Sequence, residues 1–142
     1  MSRTGILITT ALVLIGAGII YMTQSPTPDM QSQSTKGAPL VEVVVPDTLS
    51  EEETIGKRGF DAICAACHGE NATGRNGMGP PLVHQLYVPG HHGDMAFVLA
   101  VQNGVAAHHW PFGNMPVQQG LTEADIRNIT AYVRALQRAN GF

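Results

Sequence analysis

The run Cys64-Ala65-Ala66-Cys67-His68 constrains this chain more than any other stretch. On a helix, two thiols at this spacing lie one turn apart. They can then add to the two vinyl groups on one edge of a porphyrin, and the histidine that follows comes to lie under the iron. C-x-x-C-H is therefore the signature of covalent haem c attachment. Two other readings compete with it. A dithiol redox pair needs a βαβ context, which the surrounding sequence lacks. A zinc site needs a second ligand pair at finger spacing, and His84 and His91 stand too far off for that. The chain has only these two cysteines, so a disulfide framework is excluded.

Length leaves room for one small domain and an N-terminal extension. A domain of that size gains from a staple, and a haem serves as one. The net charge of -3 offers no basic surface, so no nucleic acid partner is expected. Gly5 to Met22 runs without a charge. Residues 1–22 are thus expected to be a membrane anchor or signal segment. The length is near the roughly 17–25 residues of a spanning helix. A signal's apolar core is usually about 7–15 residues, and no small-residue cleavage site is visible, which favours a retained anchor. Arg3 precedes the run and no basic residue follows until Lys36. That asymmetry puts the rest of the chain outside the bacterial cytoplasmic membrane, on the periplasmic side, where c-type haem is attached. Residues 23–47 read as a flexible linker, rich in Ser, Thr, Gln and Pro up to about Ala38. About 25 such residues reach roughly 25–30 Å r.m.s.. Within them, Val41 to Val45 is expected to form a short extended segment against the domain. The haem domain is expected over residues 48–142.

Ser50 with Glu53 makes a capping box, and the helix it opens runs through Ile55, Gly56, Phe60 and Ile63 into Cys64. A glycine inside a helix is costly, so Gly56 points to another backbone coming close. Thr122 with Asp125 opens a second helix, where Ile126, Ile129, Val133 and Leu136 recur at helical spacing beside Tyr132. Arg134 and Arg138 suit the C-terminal end of its dipole, and Asn140-Gly141 stops it. Asp94 to Val101 reads as a short helix with Met95 packed in the core.

On these residues the domain resembles a class I cytochrome c, over Thr48 to Ala139. The resemblance implies an all-α fold whose first and last helices cross beside one haem c, Gly56 and Phe60 meeting Ile129 and Tyr132. It implies that the haem is held by Cys64 and Cys67, with His68 as proximal ligand. Pro80, in the Gly79-Pro80 loop before Leu82, would accept a hydrogen bond from the His68 ring, fixing its tautomer and raising its basicity. Met115, in Gly113-Asn114-Met115-Pro116, matches the axial methionine, a soft neutral ligand that raises the potential. Met78 lies in a glycine-rich loop and is expected to be exposed.

Five more histidines, His84, His91, His92, His108 and His109, fall outside that pattern. The preferred reading is hydrogen bonding to haem propionates and loop backbone, with Trp110 donating its indole N–H there. A second reading swaps one of them in as axial ligand. A third is a separate copper or zinc site, against which stands the tendency of adjacent side chains to point apart.

The function expected is a single-electron carrier and not an enzyme, because iron with both axial positions filled can only exchange electrons. Its partners would be redox proteins met by transient docking, with the membrane held through the N-terminal helix. The alternatives are a cytochrome subunit of a larger oxidase or dehydrogenase complex, a haem protein with an additional histidine-bound copper or zinc site, and an enzyme or sensor with an open haem.

Overall fold

The computed structural model describes residues 35–142. The expected membrane anchor (1–22) and residues 23–34 of the linker lie outside the described residues. Among the described residues no helix is long and apolar enough to cross a membrane.

The described part is helical and without strands. Helix α1 spans Glu51–Gly59, continues as a π-helical turn over Phe60–Cys64 and ends as α2, Ala65–His68. Single 3₁₀ turns follow at Glu70–Ala72 and Gln85–Tyr87, then α3 at Asp94–Asn103 and α4 at Glu123–Ala139. Both expected capping boxes are present. Ser50 and Glu53 exchange hydrogen bonds at the start of α1, and Thr122 and Asp125 do so at the start of α4.

Helices α1 and α4 cross where Gly56 meets the backbone of Asn128. A Cβ at Gly56 would stand 1.8 Å from the Asn128 carbonyl oxygen, so no other residue fits. One turn on, Phe60 meets Tyr132 edge to face, with ring centroids 5.7 Å apart. These rings form one core with Leu82, Val83, Ile129, Val133 and Leu136. Val98, Val101 and Ile126 form a second, smaller cluster, with Met115 and Leu121 against it.

Three features differ from what the sequence implies. The π turn is the first: the Ala65 N–H reaches back five residues to the Phe60 carbonyl. The extra residue turns everything after it by about 100° relative to a regular helix. Second, Met95 is 57 % exposed, not core. Helix α3 is apolar on both sides: Val98 and Val101 face inward, while Met95 and Leu99, four residues apart, share an outer face. Third, Arg134 is not a surface partner of the helix dipole. It is buried, and its guanidinium binds Asp94 (2.8 Å) and the carbonyls of Tyr87 and His92. Gln137 adds bonds to the Leu82 and Tyr87 carbonyls. Helix α4 thereby holds the whole 82–94 loop.

The described end of the linker lies against the domain. Leu40 and Val41 donate to the Thr73 carbonyl, Gly37 donates to Asn76, and Asn76 donates back to Ala38. The Asn140 side chain, which also ends α4, takes the N–H of Val44 and donates to its carbonyl.

Candidate cofactor site

The C-x-x-C-H residues sit at the end of the first helix, where the loop from Gly69 to Leu82 folds back on them. Gly69 leaves the helix at φ +77°, and the Gly74 N–H returns to the His68 carbonyl at 2.6 Å. Arg75 clasps the motif from outside, its guanidinium on the Ala66 carbonyl at 2.6 Å. Gly79 passes so close that a Cβ there would meet the Cys67 carbonyl at 2.6 Å. That passage brings Pro80 to His68, whose Nδ1 lies 2.9 Å from the Pro80 carbonyl oxygen. A carbonyl only accepts, so Nδ1 carries the proton and Nε2 keeps its lone pair. Burial holds the imidazole below its ordinary pKa, and the Pro80 carbonyl opposes that in part. Burial also pushes the free Cys64 thiol up to about 11, with Cys67 adding to the effect.

Met115 arrives from the other cluster. The loop after α3 is pinned by paired backbone bonds between Val105 and Met115, at 2.9 and 3.0 Å. Gly104 allows this because a side chain there would strike the Met115 carbonyl. The Asn114 side chain accepts the Ala107 N–H, and Gln118 donates to Val101, which closes the loop on α3.

Cys64, Cys67, His68, Pro80 and Met115 all line one cavity of about 480 Å³. Its walls come from both hydrophobic clusters and are mostly apolar: Phe60, Leu82, Phe97, Val101, Ile126 and Ile129 among them. Met78 and Leu99 are exposed and also line it, so they form its rim. Trp110 lines it too, and its indole N–H is buried without a hydrogen-bond partner. The indole offsets part of the rise that burial causes in the Tyr87 pKa, but no hydrogen bond joins the two side chains. An unpaired buried donor costs about 1–3 kcal/mol, so this one calls for an acceptor within the cavity. The donor set, the apolar walls and the orphaned indole together fit a haem c with an acidic edge.

Residues 54–137 match the family model for Cytochrome c. The chain belongs to the cytochrome c family. Electron transfer by a haem-bearing domain follows at that level. The cytochrome domain is also similar to a Cbb3-type cytochrome c oxidase subunit CcoP of Cereibacter sphaeroides, with 41 % identity over 75 residues, covering 51 % of this chain and 23 % of the relative. The subunit of that name from Azospirillum brasilense is 40 % identical over 88 residues, covering 57 % of this chain and 27 % of the relative. The chain spans about a quarter of the length of the curated relatives it matches.

Of the remaining histidines, His84 caps the 3₁₀ turn at Gln85–Tyr87 by accepting from the Leu86 N–H, and its ring stands edge-on to Trp110. The pairs His91-His92 and His108-His109 do not point apart. Their rings gather into one group, with centroids of neighbouring rings 4.2–6.0 Å apart. Arg75 and Arg134 were not legible as parts of the site. Arg75 binds a backbone carbonyl, and Arg134 binds two besides Asp94 and Gln137; carbonyls leave no mark in a residue pattern.

Proposed function

We propose that this domain carries single electrons on one haem c, bound through Cys64 and Cys67 and ligated by His68 and Met115. The observation that carries the reading is the convergence of two thiols, an oriented imidazole and a thioether on one apolar cavity. Haem iron, when bound, supplies a one-electron couple. The chain does the rest. Cys64 and Cys67 hold the porphyrin edge on the helix that also carries the proximal ligand. The Pro80 carbonyl holds the Nδ1 proton of His68, so that Nε2 stays a basic ligand atom. Met115 offers a neutral sulfur, and the apolar wall keeps water out; both favour the less charged, reduced iron and so raise the potential. Trp110 donates to an acidic group at the cavity's edge. Met78 and Leu99 give the rim an apolar surface for short-lived contact with a redox partner.

The test is the far-red absorption of the oxidised holoprotein, where a methionine sulfur on ferric haem gives a weak charge-transfer band. The wild type is expected to show the band and Met115→Ala to lose it. A wild type without the band, or a variant that keeps it, overturns Met115 as the ligand. Rapid carbon monoxide binding by the ferrous wild type would speak for an open site instead.

Resemblance to oxidase subunits favours a second setting for the same chemistry, in which the domain passes electrons inside a membrane-bound oxidase. The N-terminal apolar run would tether it on the outer face of the membrane. Detergent extraction followed by native electrophoresis separates the two: comigration with other redox subunits supports the complex, and migration alone supports the free carrier.

A further inference from the structure

The histidine group stands beyond what electron transfer through His68 and Met115 requires. His91, His92 and His109 present ring nitrogens that all lie within 4.8 Å of one another. The Nε2 atoms of His91 and His109 are 3.5 Å apart. A tetrahedral ion with metal–nitrogen bonds of about 2.0–2.1 Å separates its ligand nitrogens by about 3.3–3.4 Å. His91 and His109 are thus already at coordination spacing, and a shift of at most about 1.5 Å brings His92 to it.

The fold builds this convergence from two distant stretches. His91 and His92 lie just before α3, and His108 and His109 lie after it. The N–H groups of His91 and His92 both donate to the Val88 carbonyl, and the His92 carbonyl accepts from Arg134. On the other side, Asn114 holds the Ala107 N–H, and His108 Nδ1 donates to the Ala106 carbonyl. None of these anchors uses a ring nitrogen of His91, His92 or His109. The His92 ring is stacked on Tyr87, 5.6 Å between centroids, which leaves the nitrogens at its edge available.

The charge environment agrees. Asp94, the acid nearest in sequence, is engaged by Arg134. Partial burial first, and then the neighbouring histidines, hold His92 below the ordinary histidine pKa.

We infer that His91, His92 and His109 bind one divalent transition-metal ion at the rim of the haem cavity. Three imidazoles leave one tetrahedral position for water or for His108 beside them. Among available divalent ions, an all-nitrogen site binds Cu²⁺ most tightly, with Zn²⁺ next in line by ligand type. Because His91 and His109 are exposed, the ion enters from solvent and can leave again.

The test uses metal-stripped holoprotein titrated with Cu²⁺ against a chromophoric chelator, with electron paramagnetic resonance of the copper. One equivalent per chain is expected, with nitrogen superhyperfine coupling. His91→Ala and His109→Ala should each weaken binding about ten-fold or more, and the double variant should abolish it. Circular dichroism checks that these exposed substitutions leave the fold intact. The proposal is overturned if no stoichiometric copper binds, or if the double variant binds copper with the same affinity and the same nitrogen coupling. The Met115 band plays no part in this readout, so either proposal can fail alone.

Discussion

Tyr132 shows how much one side chain joins. It is fully buried, its ring packs on Phe60 and its hydroxyl donates to Asn71 Oδ1 at 2.8 Å. Asn71 sits at φ +52°, a strained value that this bond helps to hold just past the haem motif. Burial, with the carboxylates of Asp61 and Glu70 nearby, pushes the phenol up to about 12. An unfolded tyrosine loses its proton near pH 10. Between the two values the unfolded chain releases a proton that the folded chain keeps, so stability falls as pH rises from 10 towards 12. Tyr87, also raised by burial, contributes with the same sign. We expect alkaline unfolding in that window, followed by circular dichroism alongside tyrosinate absorbance. Tyr132→Phe should cost about 1 kcal/mol at neutral pH for the lost bond, yet flatten the alkaline limb. An alkaline limb as steep in the variant as in the wild type would refute the assignment.

At the scale of elements, α4 does two jobs with two faces. One face crosses α1 at Gly56. The other sends Arg134 and Gln137 across to the 82–94 loop, where they satisfy the carbonyls of Leu82, Tyr87 and His92. The Arg134 guanidinium also lies over the Phe97 ring, 5.0 Å from its centroid. Asp94 is largely exposed, so most of the value of Arg134 lies in the half-buried carbonyls rather than in the ion pair. Arg134→Met removes those donors and should destabilise the domain by about 2–4 kcal/mol, read from the denaturant midpoint. Lysine should restore little, because its single ammonium cannot span the same acceptors. The loop carries His91 and His92, so the same variant should also weaken copper binding. A midpoint within experimental error of the wild type would show that the loop holds itself.

For the whole molecule, the cavity is the main structural fact. Two hydrophobic clusters face each other across about 480 Å³. Left unfilled, a cavity of that size would cost up to about 12 kcal/mol at ~24 cal/mol per Å³, an upper bound because it opens to solvent. Typical domain stability is about 5–15 kcal/mol, so an unfilled cavity leaves little of it. The filling group is therefore part of the fold and not only of the function. A Cys64→Ser/Cys67→Ser chain, which cannot hold haem covalently, should lose most near-UV dichroism and melt far lower and less cooperatively than the holoprotein. Native-like dichroism and an unchanged melting temperature in that variant would show that the protein closes the cavity by itself.

What the sequence alone determined was local or tied to a single fixed requirement. Capping boxes are written within four residues, so both helix starts were legible. Gly56 was legible because only a missing Cβ lets two backbones touch. The C-x-x-C-H spacing pointed to haem, since a porphyrin edge has one geometry, and that Met115 and Pro80 would stand at the same cavity was expected only through resemblance. Tertiary structure decided the rest. Helix α3 is apolar all round, so its pattern did not tell which face is inward, and Met95 turned out to face solvent. Arg134 read as a partner of the helix dipole because most of its acceptors are carbonyls, which any residue supplies, and Arg75 gave no signal for the same reason. Above all, nothing in two separate His-His pairs says that they meet. That depends on the loop after α3 folding back along the helix and on Arg134 pinning the other loop from 42 residues away. Ring direction is set by such distant anchors, and spacing along the chain carries no record of them.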